Sequence, residues 1–87
     1  MIIYDFYADW CGPCRMMDPV IKDVMRDYPY AQLMKVDVEL NPTMASEYKV
    51  SSIPTLVFMK DGTEVHRLNG FASKAAIVNV LEKFKNI

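Results

Sequence analysis

The sequence predicts one α/β domain with the element order β-α-β-α-β-β-α. Segments rich in β-branched and aromatic residues alternate with segments of helical period. An Asp61-Gly62 dipeptide between two strand-like runs is the strongest short-range hairpin signal in the chain. The 87 residues, 52% of them hydrophobic, suffice for one core and are too few for two ordinary domains. The domain therefore spans residues 1–87, with no repeat, linker or low-complexity tract.

Ile2 to Ala8 carries apolar side chains on both alternating faces, as a central strand covered on both sides requires. From Pro13 to Tyr28, Met16, Met17, Val20, Ile21, Val24 and Met25 recur four apart, with Arg15, Lys22, Asp23 and Arg26 opposite, the pattern of an amphipathic helix. Pro13 suits the first turn, whereas Pro19 removes an interior ladder bond and predicts a kink between Arg15 and Pro19. Leu33 to Val38 reads as a second strand, Thr43 to Tyr48 as a short helix after Asn41-Pro42, and Pro54 to Lys60 as a third strand. The Asp61-Gly62 turn then joins Thr63–Leu68 to that strand as an antiparallel neighbour. Ser73 can cap a last helix whose Ile77, Val80, Leu81 and Phe84 follow the i, i+3, i+4, i+7 spacing. The seven methionines read as adaptable core filler.

Ten basic against 11 acidic residues give a net charge of −1, which provides neither the electrostatic footprint of a nucleic-acid binder nor a polybasic membrane patch. No apolar stretch approaches the roughly 20 residues that span a bilayer. The start Met1–Asp5 has no basic region of a signal peptide, so a chain that is whole is expected in the cytoplasm. Two cysteines in a C-x-x-C pair, in a reducing compartment, point to redox or metal chemistry. A zinc site needs two further donors, and the single histidine, His66, sits in an alternating strand-like segment without a neighbouring ligand. No bound metal is expected within the chain, and a metal bridging two chains is the weaker reading beside the redox one.

Trp10-Cys11-Gly12-Pro13-Cys14 places two thiols at a strand-to-helix corner. A helix start has unpaired N–H groups and partial positive charge, which stabilise a cysteine there as thiolate, the form that attacks disulfides. Cys11 is the candidate nucleophile. Cys14, almost one turn on, can close a small disulfide ring with it and is the candidate resolving thiol. Asp5 lies six positions before Cys11 in an otherwise apolar strand. Either it finds water at a strand end, or it is buried, with a raised pKa that suits a general base near neutral pH.

The element order, the WCGPC segment at the first helix, Ile53-Pro54-Thr55 before the third strand and Gly70 after the fourth together resemble the thioredoxin family over nearly the whole chain. The resemblance implies a thioredoxin fold: a four-stranded mixed sheet flanked by helices on both faces, in a minimal form that begins at the family's second strand. Leu33–Val38 is then an edge strand, with Lys35, Asp37 and Glu39 discouraging edge pairing. It also implies that Asp5 lies beneath Cys14 and takes up its proton, with Lys35 as counter-charge; a solvated edge lysine is the competing reading. Pro54 corresponds to the family's cis-proline, which faces the disulfide and keeps metal off the thiols; sequence alone does not distinguish the isomers. Trp10, Ile53, Gly70 and Phe71 would surround the Cys11 sulfur as a shallow apolar docking surface, with Gly12 allowing close approach. A core role for Trp10 competes with that placement. Phe71, Tyr7 and Asp18 depart from the residues common at those places in the family, and bear on partner choice.

The function implied is protein-disulfide reduction by a Cys11–Cys14 dithiol, with no cofactor on the chain, which is expected to act as a monomer on protein disulfides. An NADPH-dependent flavin thioredoxin reductase would restore the dithiol. Gly12-Pro13 between the cysteines resembles reducing members of the family. Two alternatives stand beside this reading: a glutaredoxin-like enzyme coupled to glutathione, and a non-catalytic binding subunit of a larger enzyme.

Overall fold

A computed structural model describes residues 1–86. The chain runs β1 (Ile2–Tyr7), α1 (Gly12–Asp27), β2 (Gln32–Asp37), α2 (Pro42–Glu47), β3 (Thr55–Lys60), β4 (Thr63–Asn69) and α3 (Lys74–Phe84), the order that the sequence predicts. The four strands form one sheet in the order β2-β1-β3-β4. β1 pairs in parallel with β2 and antiparallel with β3, and β3 pairs antiparallel with β4. β1 is thus central and β2 lies at an edge. Asp61 and Gly62 take φ values of 52° and 79°, the doubly positive backbone of a two-residue hairpin turn that matches the twist of its strands.

Strand alternation divides the core into two layers. Ile3, Leu56 and Phe58 pack with Met17, Ile21 and Val24 of α1 and Ile77, Val80 and Leu81 of α3 on one face. Phe6 and Val57 pack with Ala45 and Tyr48 around α2 on the other. Phe6, Leu56, Val57 and Phe58 have no exposed surface, so the middle of the sheet is covered on both sides. Ser73 caps α3 by accepting the Ala76 N–H at 3.2 Å. The helix α1 passes through Pro19 as one element.

Some expectations change. Met16 lies two-thirds exposed and Met34 half exposed, so the filler role fits Met17 and the partly buried Met1, Met25, Met44 and Met59 instead. Met16 precedes the buried Met17 and so falls off the core-facing row of α1. Asp37 does not guard the sheet edge: it is buried, and its Oδ1 accepts the N–H groups of Glu39 (2.9 Å) and Leu40 (3.3 Å) in the turn after β2. His66 lies opposite Phe58 in the β3–β4 register, with ring centroids 6.3 Å apart.

Candidate active site

The β1–α1 corner is built by a turn in which the Cys11 N–H donates to Ala8 O at 3.1 Å. Cys11 then takes the N-cap of α1, in extended conformation, and its Sγ accepts the Cys14 N–H at 3.2 Å. One orphan donor of the first turn, the Cys14 N–H, thus points at the sulfur of Cys11, where it and the helix start stabilise negative charge once the bond to Cys14 is reduced. Cys11 and Cys14 form a disulfide, with Cα atoms 5.2 Å apart. The pair packs on Ala8 and against Tyr7, Val38 and Ile53. Cys11 is only 4% exposed, more covered than a freely accessible nucleophile, so approach is confined to the narrow surface around the N-cap. A Cβ on the exposed Gly12 would meet nothing within 4 Å, which leaves that side open to an incoming chain.

Trp10 is 64% exposed, which overturns the core reading for its ring. Together with Val38, Ala45, Val50, Ser51, Ser52 and Ile53 it lines a groove of about 240 Å³ beside the thiols. The peptide bond Ile53–Pro54 is cis. Pro54 O accepts the Gly70 N–H at 2.7 Å, which ties the end of β4 to the entry of β3. Gly70, at φ 83°, turns the chain in the left-handed region and leads into Phe71, half exposed. The Ala72 N–H reaches Met17 Sδ at 3.2 Å and fastens this loop to α1. A larger depression of about 450 Å³ along α2 is lined by Leu40, Met44 and Tyr48 among others and holds neither cysteine.

Asp5 is 2% exposed, and its Oδ1 has no hydrogen-bond partner in the protein. It lies two residues beyond Ile3 on β1 and so shares the face covered by α1, whose first turn carries Cys14. Desolvation raises its pKa from 3.8 to about 6, against the lowering charge of Lys35 and with a further rise from the charge of Asp18. Lys35 stands beside Asp5 in the parallel register. Its ammonium, however, bonds Asp18 at 3.1 Å and lies 4.4 Å from the centre of the Tyr7 ring. Burial works against the lysine's charge, but the bond and charge of Asp18, with the charge of Asp5 and the nearby Tyr7, together outweigh it and leave its pKa raised. Lys35 therefore meets Asp5 only through space and is neither a direct partner nor a free edge lysine.

The structure groups Trp10 with Ile53, and Pro54 with Gly70; Phe71 joins them through the chain rather than by lining the groove. Sequence reasoning missed Val38, which reaches the disulfide from the end of β2, and the anchoring sulfur of Met17. Neither carries a signal beyond being apolar. Among the described residues no three His, Cys, Asp or Glu side chains gather as a metal site would need, and no helix is long and apolar enough to cross a membrane.

A disulfide at the N-terminus of a helix, packed against Ile53, on a helix that covers the strand face of a buried carboxyl, defines a thiol-disulfide redox protein. The sequence model of the Thioredoxin family matches residues 1–83. Thioredoxin of Chlamydia trachomatis is 41% identical over 95% of this chain and 81% of its own length. That of Staphylococcus aureus is 45% identical over 93% and 79%. Among solved structures, a mutant thioredoxin of Halobacterium salinarum superposes with a TM-score of 0.92 at 37% identity, over 99% of this chain and 75% of that one. Oxidised mitochondrial thioredoxin 3 of Saccharomyces cerevisiae gives 0.89 at 35%, over 95% and 77%. The chain belongs to the thioredoxin family and is a protein-disulfide oxidoreductase.

Proposed function

We propose that the chain works as a reductant of protein disulfides. The Cys11 thiolate attacks one sulfur of the client disulfide, whose other sulfur leaves as thiolate. Cys14 passes its proton to Asp5 and attacks Cys11 Sγ; the mixed disulfide breaks, the client leaves with both sulfurs reduced, and the Cys11–Cys14 disulfide remains. Two electrons pass to the client. A flavin reductase fed by NADPH returns them, with no cofactor held by this chain. Trp10, Ile53, Pro54, Gly70 and Phe71 receive the client segment, and Gly12 admits its backbone. The observation that supports this most is the Cys11 sulfur capping α1, bonded at 3.2 Å by the Cys14 N–H.

The test couples reduction of a model protein disulfide to NADPH, supplied through a flavin thioredoxin reductase in one arm and through glutathione with its reductase in the other. Steady NADPH consumption in the first arm is expected. Turnover in the glutathione arm alone would overturn the electron source, and net oxidation of a dithiol client would overturn the direction.

A further inference from the structure

Cys14 and Asp18 stand four residues apart on α1, in one row of the helix face that covers β1. Below that row lies Asp5, and beside Asp5 on β2 is Lys35. The ammonium of Lys35 has one carboxylate buried next to its own backbone position and a second, on Asp18, at the rim. It bonds the second, at 3.1 Å, with Asp18 and Lys35 side chains about 40% exposed. Among the described residues, Asp18 and Lys35 are the charges that act on Asp5. Arg15, next to Cys14, turns its Nε to Asp9 O at 3.1 Å. Tyr7 offers its ring face to the Lys35 ammonium. The β3 residue opposite Asp5 is the apolar Leu56, and Cys14 is the remaining titratable group on the α1 row once reduced.

We propose that Asp18 is a positioning residue for the resolving step, holding the Lys35 ammonium at the rim and so keeping it from pairing directly with Asp5. A lysine seated on Asp5 would stabilise the carboxylate and weaken it as a base. A lysine held at the rim leaves the carboxyl to be governed by burial. The negative charge on Asp18 adds to that effect directly, in agreement with the two opposing charges that act on Asp5. A pair this exposed contributes little to stability; its consequence lies in where the cation is parked. The idea rests on Asp5 serving as base for Cys14, as proposed above.

The test reads the Asp5 carboxyl by carbon NMR titration of the oxidised protein, and the pH profile of mixed-disulfide resolution, in Asp18→Asn, Lys35→Met and the double variant. Asp18→Asn is expected to lower the Asp5 midpoint by about half a pH unit or more, and to move the acidic limb of the resolution profile with it. Lys35→Met is expected to raise both, and Asp18→Glu to restore them. In the Lys35→Met background, Asp18→Asn should shift the midpoint much less than in the parent, because the cation it releases is gone. Shifts that simply add, or an unmoved midpoint, would overturn the role of Asp18. If the NMR midpoint moves as expected while resolution ignores it, Asp5 is not the base, and it is the parent reading that fails.

Discussion

Asp5 and Asp37 sit on neighbouring parallel strands, 2% and 9% exposed, and the fold treats them in opposite ways. Asp37 ends its strand, where the turning backbone supplies two N–H donors to Oδ1. Its burial is compensated locally, and its role is to shape the turn that carries Val38 to the disulfide. Asp5 lies in the middle of the central strand, which pairs on both sides, and its Oδ1 is left without a donor. An uncompensated buried carboxyl is costly. That such a group lies on the face covered by the helix bearing Cys14 is the ground on which we propose its part in the redox chemistry.

The largest expected effects come from the thiols that the proposed role of Asp5 serves. Cys11→Ser should reduce turnover on the order of a thousandfold or more. Cys14→Ser should instead accumulate clients covalently held on Cys11, visible on non-reducing gels. If Cys14→Ser turns over at parental rate, the burial of Asp5 near this helix has no resolving step to serve.

Next is stability against pH. Asp5 is held above its ordinary pKa of 3.8, at about 6, so the folded state binds its proton more tightly than the unfolded chain. The stability conferred by that proton is complete below pH 4 and is lost as pH rises through 6. Replacement by Asn removes the ionisation, so Asp5→Asn should gain up to about 3 kcal/mol over the parent at pH 8, and the gain should vanish near pH 4. Denaturant melts of the two oxidised proteins at pH 4, 6 and 8 measure it. A gain that is independent of pH would mean that the amide acts by packing and that the carboxyl was never under strain from burial.

Asp37→Ala should run the other way, with a loss of about 1–2 kcal/mol from two N–H groups left without an acceptor. Equal stability of parent and Asp37→Ala, by the same melts, would erase the contrast between the two carboxyls.

What could be read without coordinates follows the same divide. Hydrophobic period, the Asp61-Gly62 turn and the Ser73 cap are local signals, and each element they mark exists with its ends shifted by a residue or two. Cys11 at the helix start is also local, and the N-cap bond is its direct outcome. The partners of charged side chains are not local. Nothing in the sequence tells Lys35 to prefer Asp18, 17 positions away, over Asp5 across the strand pair. Asp37 looks like an edge charge until the turn after it is seen to close onto its Oδ1. Exposure of Trp10 and Met16 likewise depends on what α1 meets, which periodicity alone leaves open by one position on the helix wheel.

The smallest effect concerns the loop after β4 rather than the buried carboxyls. Phe71 follows Gly70 on a loop held by Pro54 O and by Met17 Sδ, so its backbone is fixed while half its surface faces solvent. Removing an exposed ring from an anchored loop should change stability by less than about 0.5 kcal/mol. The ring follows Gly70, which Pro54 O binds, and half of it faces solvent; under the proposed docking role its loss should weaken client capture instead. Phe71→Ala is therefore expected to raise KM for a protein disulfide several-fold with kcat nearly unchanged, and to leave attack on a small linear disulfide such as cystine untouched. Equal losses on the large and the small substrate would place the ring in the chemistry and not in docking. A loss of stability would show that the loop depends on Phe71 as well as on its two hydrogen bonds.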